Sequence, residues 1–232
     1  MTETKHNGWH GRYCVVIPAY DVAKTIGDLV QRTKALGFEV LVIDDGSHDR
    51  TAALAAERGA LVISHLQNQG KGSALRTAFA YALRHDFDGV VTMDADGQHV
   101  PEEIPRLLKA GEVQHAGIVV GNRMADSQAM PASRRWANQV MSRIVSLASR
   151  QQIPDSQCGF RFIRKEVLAS VPLSADKFEI ETELLLGASR QHWKTISVPV
   201  QTVYLDQPSH IRPVRDGFRF ARIVARHFLR RG

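Results

Sequence analysis

Four short runs of apolar, largely β-branched residues punctuate the first half of the chain: Tyr13 to Pro18, Glu39 to Asp44, Ala60 to His65 and Gly89 to Asp94. Unbroken apolar runs of this length read as strands buried on both faces. Between them apolar positions recur at helical spacing: Ile26, Leu29, Val30 and Thr33, then Ala52 to Ala56, then Ala74, Ala78, Tyr81 and Ala82. Strand and helix in strict alternation predict an α/β fold, a doubly wound, mostly parallel sheet with helices on both faces. In such a sheet ligands bind beyond the carboxyl ends of the strands. Those ends carry Pro18-Ala19-Tyr20-Asp21, Asp44-Asp45-Gly46-Ser47, Asn68-Gln69-Gly70-Lys71-Gly72 and Asp94-Ala95-Asp96-Gly97-Gln98-His99. Four polar clusters are expected to meet at one sheet edge.

Composition narrows the class. A chain of 232 residues with 44% hydrophobic and 23% charged residues is an ordinary globular protein, and residues 1–232 are read as one domain. Residues 1–11 carry no apolar stretch and are expected to lack order. Neither a signal peptide nor a run long enough to span a membrane is legible. Two widely separated cysteines, Cys14 and Cys158, suit a reducing cytoplasm better than a disulfide framework. The net charge of +6 is local: from Gln207 to Gly232 seven arginines face one acid, and the remainder is near neutral. That distribution speaks against a nucleic-acid-binding body and for one surface that meets something anionic.

Two carboxylates two residues apart, where a buried strand breaks, supply hard oxygen donors. With Gln98 they form a candidate Mg²⁺ or Mn²⁺ site of Asp94, Asp96 and Gln98. The plainer alternative is that Asp96 caps the turn before the helix begun by Pro101. Asp44 and Asp45 either accept hydrogen bonds from a nucleobase or serve the turn and the helix after it. Gly70-Lys71-Gly72-Ser73 is no P-loop, because that motif needs glycine at the position held by His65. Nor does the first strand run into the glycine-rich turn of a dinucleotide-binding site. Lys71 remains as a cation at a helix start, suited to a phosphate.

The strings IPAYD, VIDDGSHDRT, NQGKGSALRTA and VTMDADGQHVPEEIPRLL, followed by VVGNR, DSQCGFRFI and FEIETELL, resemble the inverting family-two glycosyltransferases of the A-type fold. The DADGQH form resembles the dolichol-phosphate mannose and glucose synthase group within them. The resemblance runs from about Val15 to about Asp216. It implies a nucleotide-diphosphate sugar, GDP- or UDP-linked, as donor and a polyprenyl or other lipid phosphate as acceptor. It further implies that Pro18, Ala19, Tyr20, Asp44 and Asp45 line the nucleotide, with Lys71, Asp94 and Ala95 close to it. Asp94, Asp96 and Gln98 would hold the metal. Arg123 and Arg212 would approach the sugar or acceptor phosphate, and Glu181 and Glu183 the sugar. Two positions depart from the pattern: Asp21 stands where asparagine is usual, and Asn122 where serine is usual.

Displacement at an anomeric carbon builds charge on the leaving diphosphate, which the metal, Lys71 and Arg123 would stabilise. A phosphate acceptor is already anionic, whereas a hydroxyl acceptor needs a general base, for which Asp155, Glu181 and Glu183 are candidates. Transfer to a hydroxyl of a lipid or glycan is therefore the near alternative. Nucleotidyl transfer or a non-catalytic module for an anionic partner are the distant ones. A basic amphipathic helix is expected over 216–231, with Arg219, Arg222, Arg226 and Arg230 in one stripe and Ala221, Val224, Ala225 and Phe228 opposite. A second stripe pairs Arg134, Arg135, Arg143 and Arg150 with Trp136, Val140, Ile144 and Leu147. Both suit peripheral contact with an anionic membrane on its cytoplasmic face, or else simple packing on the protein body.

Overall fold

The structure is a computed structural model that describes residues 12–126, 130–203 and 213–229. The apolar runs become β1 (Tyr13–Ala19), β2 (Glu39–Asp44), β3 (Leu61–Ser64) and β4 (Gly89–Thr92), and they alternate with α1 (Ile26–Ala35), α2 (Thr51–Glu57) and α3 (Lys71–Arg84). There follow α4 (Ile104–Val113), β5 (Ile118–Asn122), α5 (Ala132–Ser149), β6 (Arg161–Arg164), α6 (Lys165–Ser170), α7 (Ile180–Arg190), β7 (Thr195–Pro199) and α8 (Pro213–Leu229). Among the described residues the strands form one sheet of order β3-β2-β1-β4-β6-β5-β7. All neighbours run parallel except β6, which is antiparallel to both β4 and β5.

Val15, Val16 and Ile17 are all fully buried. Successive strand residues point to opposite faces, so both faces of β1 are covered, as an unbroken apolar run requires. β3 departs from the expectation of full burial: Leu61 is 47% exposed. The cause is position, since β3 is the sheet edge and pairs only with β2.

Register sets the site. β1, β2, β3 and β4 point their carboxyl ends the same way. Thr92 pairs with Arg161, so antiparallel β6 begins where β4 ends. Val120 also pairs with Arg161, so β5 finishes at that edge with Arg123 just beyond it. β7 runs parallel to β5, and Thr202, after its end, bridges His99.

The terminal helix buries a different face from the one expected. Phe220, Ile223, Val224 and His227 are buried, while Ala221, Ala225 and Phe228 face outward. His227 reaches the Ala148 carbonyl at 3.1 Å, which fixes the rotation of α8 against α5. Among the described residues no helix is long and apolar enough to cross a membrane.

Candidate active site

Lys71 sits at the first position of α3, after Gly70, whose φ of 104° is one that glycine tolerates. Its ammonium lies 2.5 Å from Asp94 Oδ1 and 2.6 Å from Glu181 Oε1. Glu181 belongs to the first turn of α7, so one cation joins three separate elements. On the far side of Glu181, Arg161 Nη2 lies 3.2 Å from Oε2. Arg161 is almost fully buried and also donates to the carbonyls of Cys158, Ser156 and Glu181. Burial works against the Lys71 charge, but Asp94 and Glu181 overcome it and hold its pKa above the ordinary lysine value. Asp94 is the mirror case: burial opposes its charge, and Lys71 with His99 reverse that, leaving the carboxyl far below its usual range. His99 Nε2 stands 3.5 Å from Asp94 Oδ2, and its ring stacks on Phe160.

Asp94, Asp96 and Gln98 lie in one tight turn. Gly97, at φ 75°, closes it, and Asp96 Oδ1 accepts the Gln98 N–H at 2.9 Å. Thr25 Oγ1 holds the Ala95 carbonyl at 2.5 Å, tying the turn to α1. The donor set is made of hard oxygens, and the site already draws a cation to Asp94 in the form of Lys71. Its chemistry fits Mg²⁺ or Mn²⁺.

Pro18 and Ala19 end β1, and the ring of Tyr20, the next residue, meets His48 edge-on at 6.1 Å. Buried Asp44 accepts the Ser47 N–H at 3.1 Å. Asp45 takes three donors: His65 Nδ1 at 2.7 Å and the N–H groups of Gln69 and Gly70 at 3.0 and 2.6 Å. It therefore fastens the loop that delivers Lys71. Asp21 has φ 51°, a conformation that Asp and Asn both tolerate, and its Oδ1 accepts the His48 N–H at 2.7 Å. Asn122 Oδ1 accepts the Met124 N–H, a turn-closing bond that serine can imitate. Both departures from the family pattern keep the local hydrogen-bonding chemistry.

Arg123 is clamped by Asp155 through Nε at 2.8 Å, Nη2 at 3.0 Å and its own backbone N–H at 3.0 Å. Asn138 adds a further donor to Asp155 at 2.8 Å. Burial disfavours the Asp155 charge, yet the hydrogen bonds and charge of Arg123 prevail and lower its pKa. Glu183 accepts the Ser174 and Ala175 N–H groups, both at 2.9 Å, and the Ser174 hydroxyl at 2.7 Å. Arg76 takes the carbonyls of the same two residues, so this loop is pinned from two sides. Arg212 lies outside the described residues. Arg161 and Gly159 escaped sequence reasoning, although FRFI, with an arginine between two phenylalanines at a strand start, signals a charge that must find buried partners.

Residues 14–171 match the family model described as Glycosyl transferase family 2. A polyprenol monophosphomannose synthase of Mycolicibacterium smegmatis is 31% identical, over 82% of this chain and 76% of its own length. An undecaprenyl-phosphate mannosyltransferase of Micrococcus luteus is 30% identical, over 83% and 84%. A UDP-N-acetylglucosamine–dolichyl-phosphate N-acetylglucosaminyltransferase of Methanococcus voltae is 29% identical, over 83% and 86%. Among solved structures, glucosyl-3-phosphoglycerate synthase of Mycobacterium tuberculosis with Mn²⁺ and UDP superposes with a TM-score of 0.70 at 21% identity, covering 96% of this chain and 80% of that one. At that identity the likeness speaks for the A-type fold alone. Family match, close relatives and a shared fold agree, and the chain is a glycosyltransferase that belongs to glycosyl transferase family 2.

Proposed function

We propose that this enzyme transfers a hexose from a UDP- or GDP-sugar to a polyprenyl phosphate, with Asp94, Asp96 and Gln98 holding Mg²⁺ or Mn²⁺. One observation carries the choice of acceptor: each of the three candidate general bases is already committed. Asp155 is consumed by Arg123 and Asn138, Glu183 by its loop, and Glu181 by Lys71 and Arg161. Carboxylates tied into such bonds are not free to reach a substrate hydroxyl, whereas a phosphate oxygen arrives already ionised and needs no base. The names of the three relatives point to the same acceptor class.

In this reading the acceptor phosphate oxygen attacks the anomeric carbon, the bond to the diphosphate breaks, and the electron pair leaves with the nucleoside diphosphate. The bound cation would neutralise charge growing on that leaving group. Pro18, Ala19, Tyr20, Asp44 and Asp45 form the wall for the nucleotide, with Ala95 at its phosphate end. Lys71 and Arg123 supply positive charge to the same leaving group. To Arg212 we assign the acceptor phosphate.

A lipid acceptor calls for a membrane surface, and α5 is built inside out. Its inward face carries Asn138, Ser142 and Ser149 among small apolar residues, while Trp136 and Leu147 are 69% and 79% exposed, with Ile144 beside them. Exposed Arg143 and Arg150 border that stripe, and Arg222 and Arg226 are exposed on α8, which packs against α5. An outward apolar stripe ringed by arginines suits anionic lipid. Buried, unpaired Cys14 and Cys158 favour the cytoplasmic side.

The test is incorporation of labelled hexose from UDP- and GDP-sugars, with Mn²⁺, into a polyprenyl phosphate or the matching polyprenol. Product from the phosphate alone is expected. Equal transfer to the polyprenol would establish the hydroxyl route instead.

A further inference from the structure

Lys71 is the only side chain, among the ion pairs of the described residues, that joins Asp94, in the turn after β4, to α7. Its stem begins α3, whose start is held in place by Asp45 bonds to Gln69 and Gly70 and by the Lys177 bond to the Gln69 carbonyl at 2.8 Å. Nothing in that anchoring requires the ammonium itself to rest on Asp94. What does require it is charge: Asp94 is only 26% exposed and Glu181 11%, and two such carboxylates side by side need a cation between them.

We propose that Lys71 is a resident counter-ion which competes with the divalent cation for Asp94, so that metal is taken up only as the ammonium gives way. This rests on the assignment of Asp94 to the metal site. Two cations cannot share one carboxylate oxygen at contact distance without strong mutual repulsion. Metal entering without nucleotide must therefore displace an ion pair that is already satisfied. A nucleotide diphosphate changes the balance, because it offers the displaced ammonium new anionic oxygens. The device would make uptake of metal and nucleotide cooperative, each supplying a partner for what the other releases.

The experiment measures Mn²⁺ binding to the nucleotide-free protein by calorimetry and by the electron paramagnetic resonance of unbound Mn²⁺. Lys71→Met should bind Mn²⁺ at least about tenfold more tightly than the wild type. Lys177→Met, which removes a nearby charge that does not touch Asp94, should leave the affinity unchanged. Equal or weaker binding by Lys71→Met, or equal tightening by Lys177→Met, would overturn the role of Lys71. Should Lys71→Met not fold, acetylation of Lys71 in the wild-type protein gives the answer: Mn²⁺ alone should raise its labelling rate several-fold, and an unchanged rate overturns the proposal. Adding UDP separates this failure from that of the metal site. Mn²⁺ uptake with UDP but no effect of Lys71 sinks only the competition, while no uptake by any form, with or without UDP, sinks both.

Discussion

Asp155 holds Arg123 by two guanidinium nitrogens and its backbone N–H at once, at 2.8 to 3.0 Å, with no solvent reaching the carboxylate. A pair this enclosed fixes the position of the arginine as much as its charge.

Removing the carboxylate should therefore be costly twice. Asp155→Ala leaves a buried guanidinium uncompensated and is expected to lose about 3–5 kcal/mol of stability, with kcat falling as Arg123 shifts. The pH dependence has a definite sign. Because the folded-state pKa of Asp155 is lowered, its contribution is present above the unfolded value of about 3.9 and is lost as pH falls below it. Denaturant titrations between neutral and acid pH should show a flatter decline in Asp155→Asn than in the wild type.

Glu183 separates two chemistries. As a loop anchor, Glu183→Gln should lose about 1–2 kcal/mol through its weakened bonds to Ser174 and Ala175, with kcat reduced less than about tenfold. A general base would instead cost roughly 10²–10⁴ in kcat. Paired melting curves and steady-state kinetics on this variant decide between them.

How much of this was legible in the sequence follows from what each signal depends on. β1, β2 and β4 announce themselves because strands buried on both faces must be apolar throughout, and the polar clusters after them could be placed at one edge from topology alone. β6 could not be placed, since its antiparallel insertion between β4 and β5 depends on pairing rather than on its four residues. The partners of Asp155 and Glu181 were invisible for the same reason: Arg123 and Lys71 lie far along the chain from them. The buried face of α8 differs from the expected stripe because its rotation is set by tertiary contacts, with Phe220 and Ile223 turned inward and His227 on the Ala148 carbonyl.

Gly159 gives a test of the packing behind Asp94. A Cβ there would collide with both oxygens of the Asp94 carboxylate, and the neighbouring Thr92 hydroxyl already bonds the Gly159 carbonyl at 2.8 Å, so the backbone has little room to retreat. Gly159→Ala should cost about 1–3 kcal/mol by overpacking and weaken Mn²⁺–UDP binding, because the carboxylate is what must move. Calorimetry with the folded variant reads the second effect directly.

The membrane reading yields its own prediction, and α8 dictates how to test it. Deleting the terminal helix would strip Phe220, Ile223 and Val224 from the protein body, so loss of binding after truncation would be ambiguous. Point changes on the exposed stripe avoid this. Trp136→Ala with Leu147→Ala removes surface already in solvent, so the fold should be untouched while vesicle binding falls by about tenfold or more. Arg222→Glu with Arg226→Glu should weaken binding to anionic vesicles at low salt, and the loss should shrink as salt is raised. Co-sedimentation with vesicles with and without anionic lipid measures both. Unchanged recovery of both double variants would mean that the stripe on α5 faces something other than lipid.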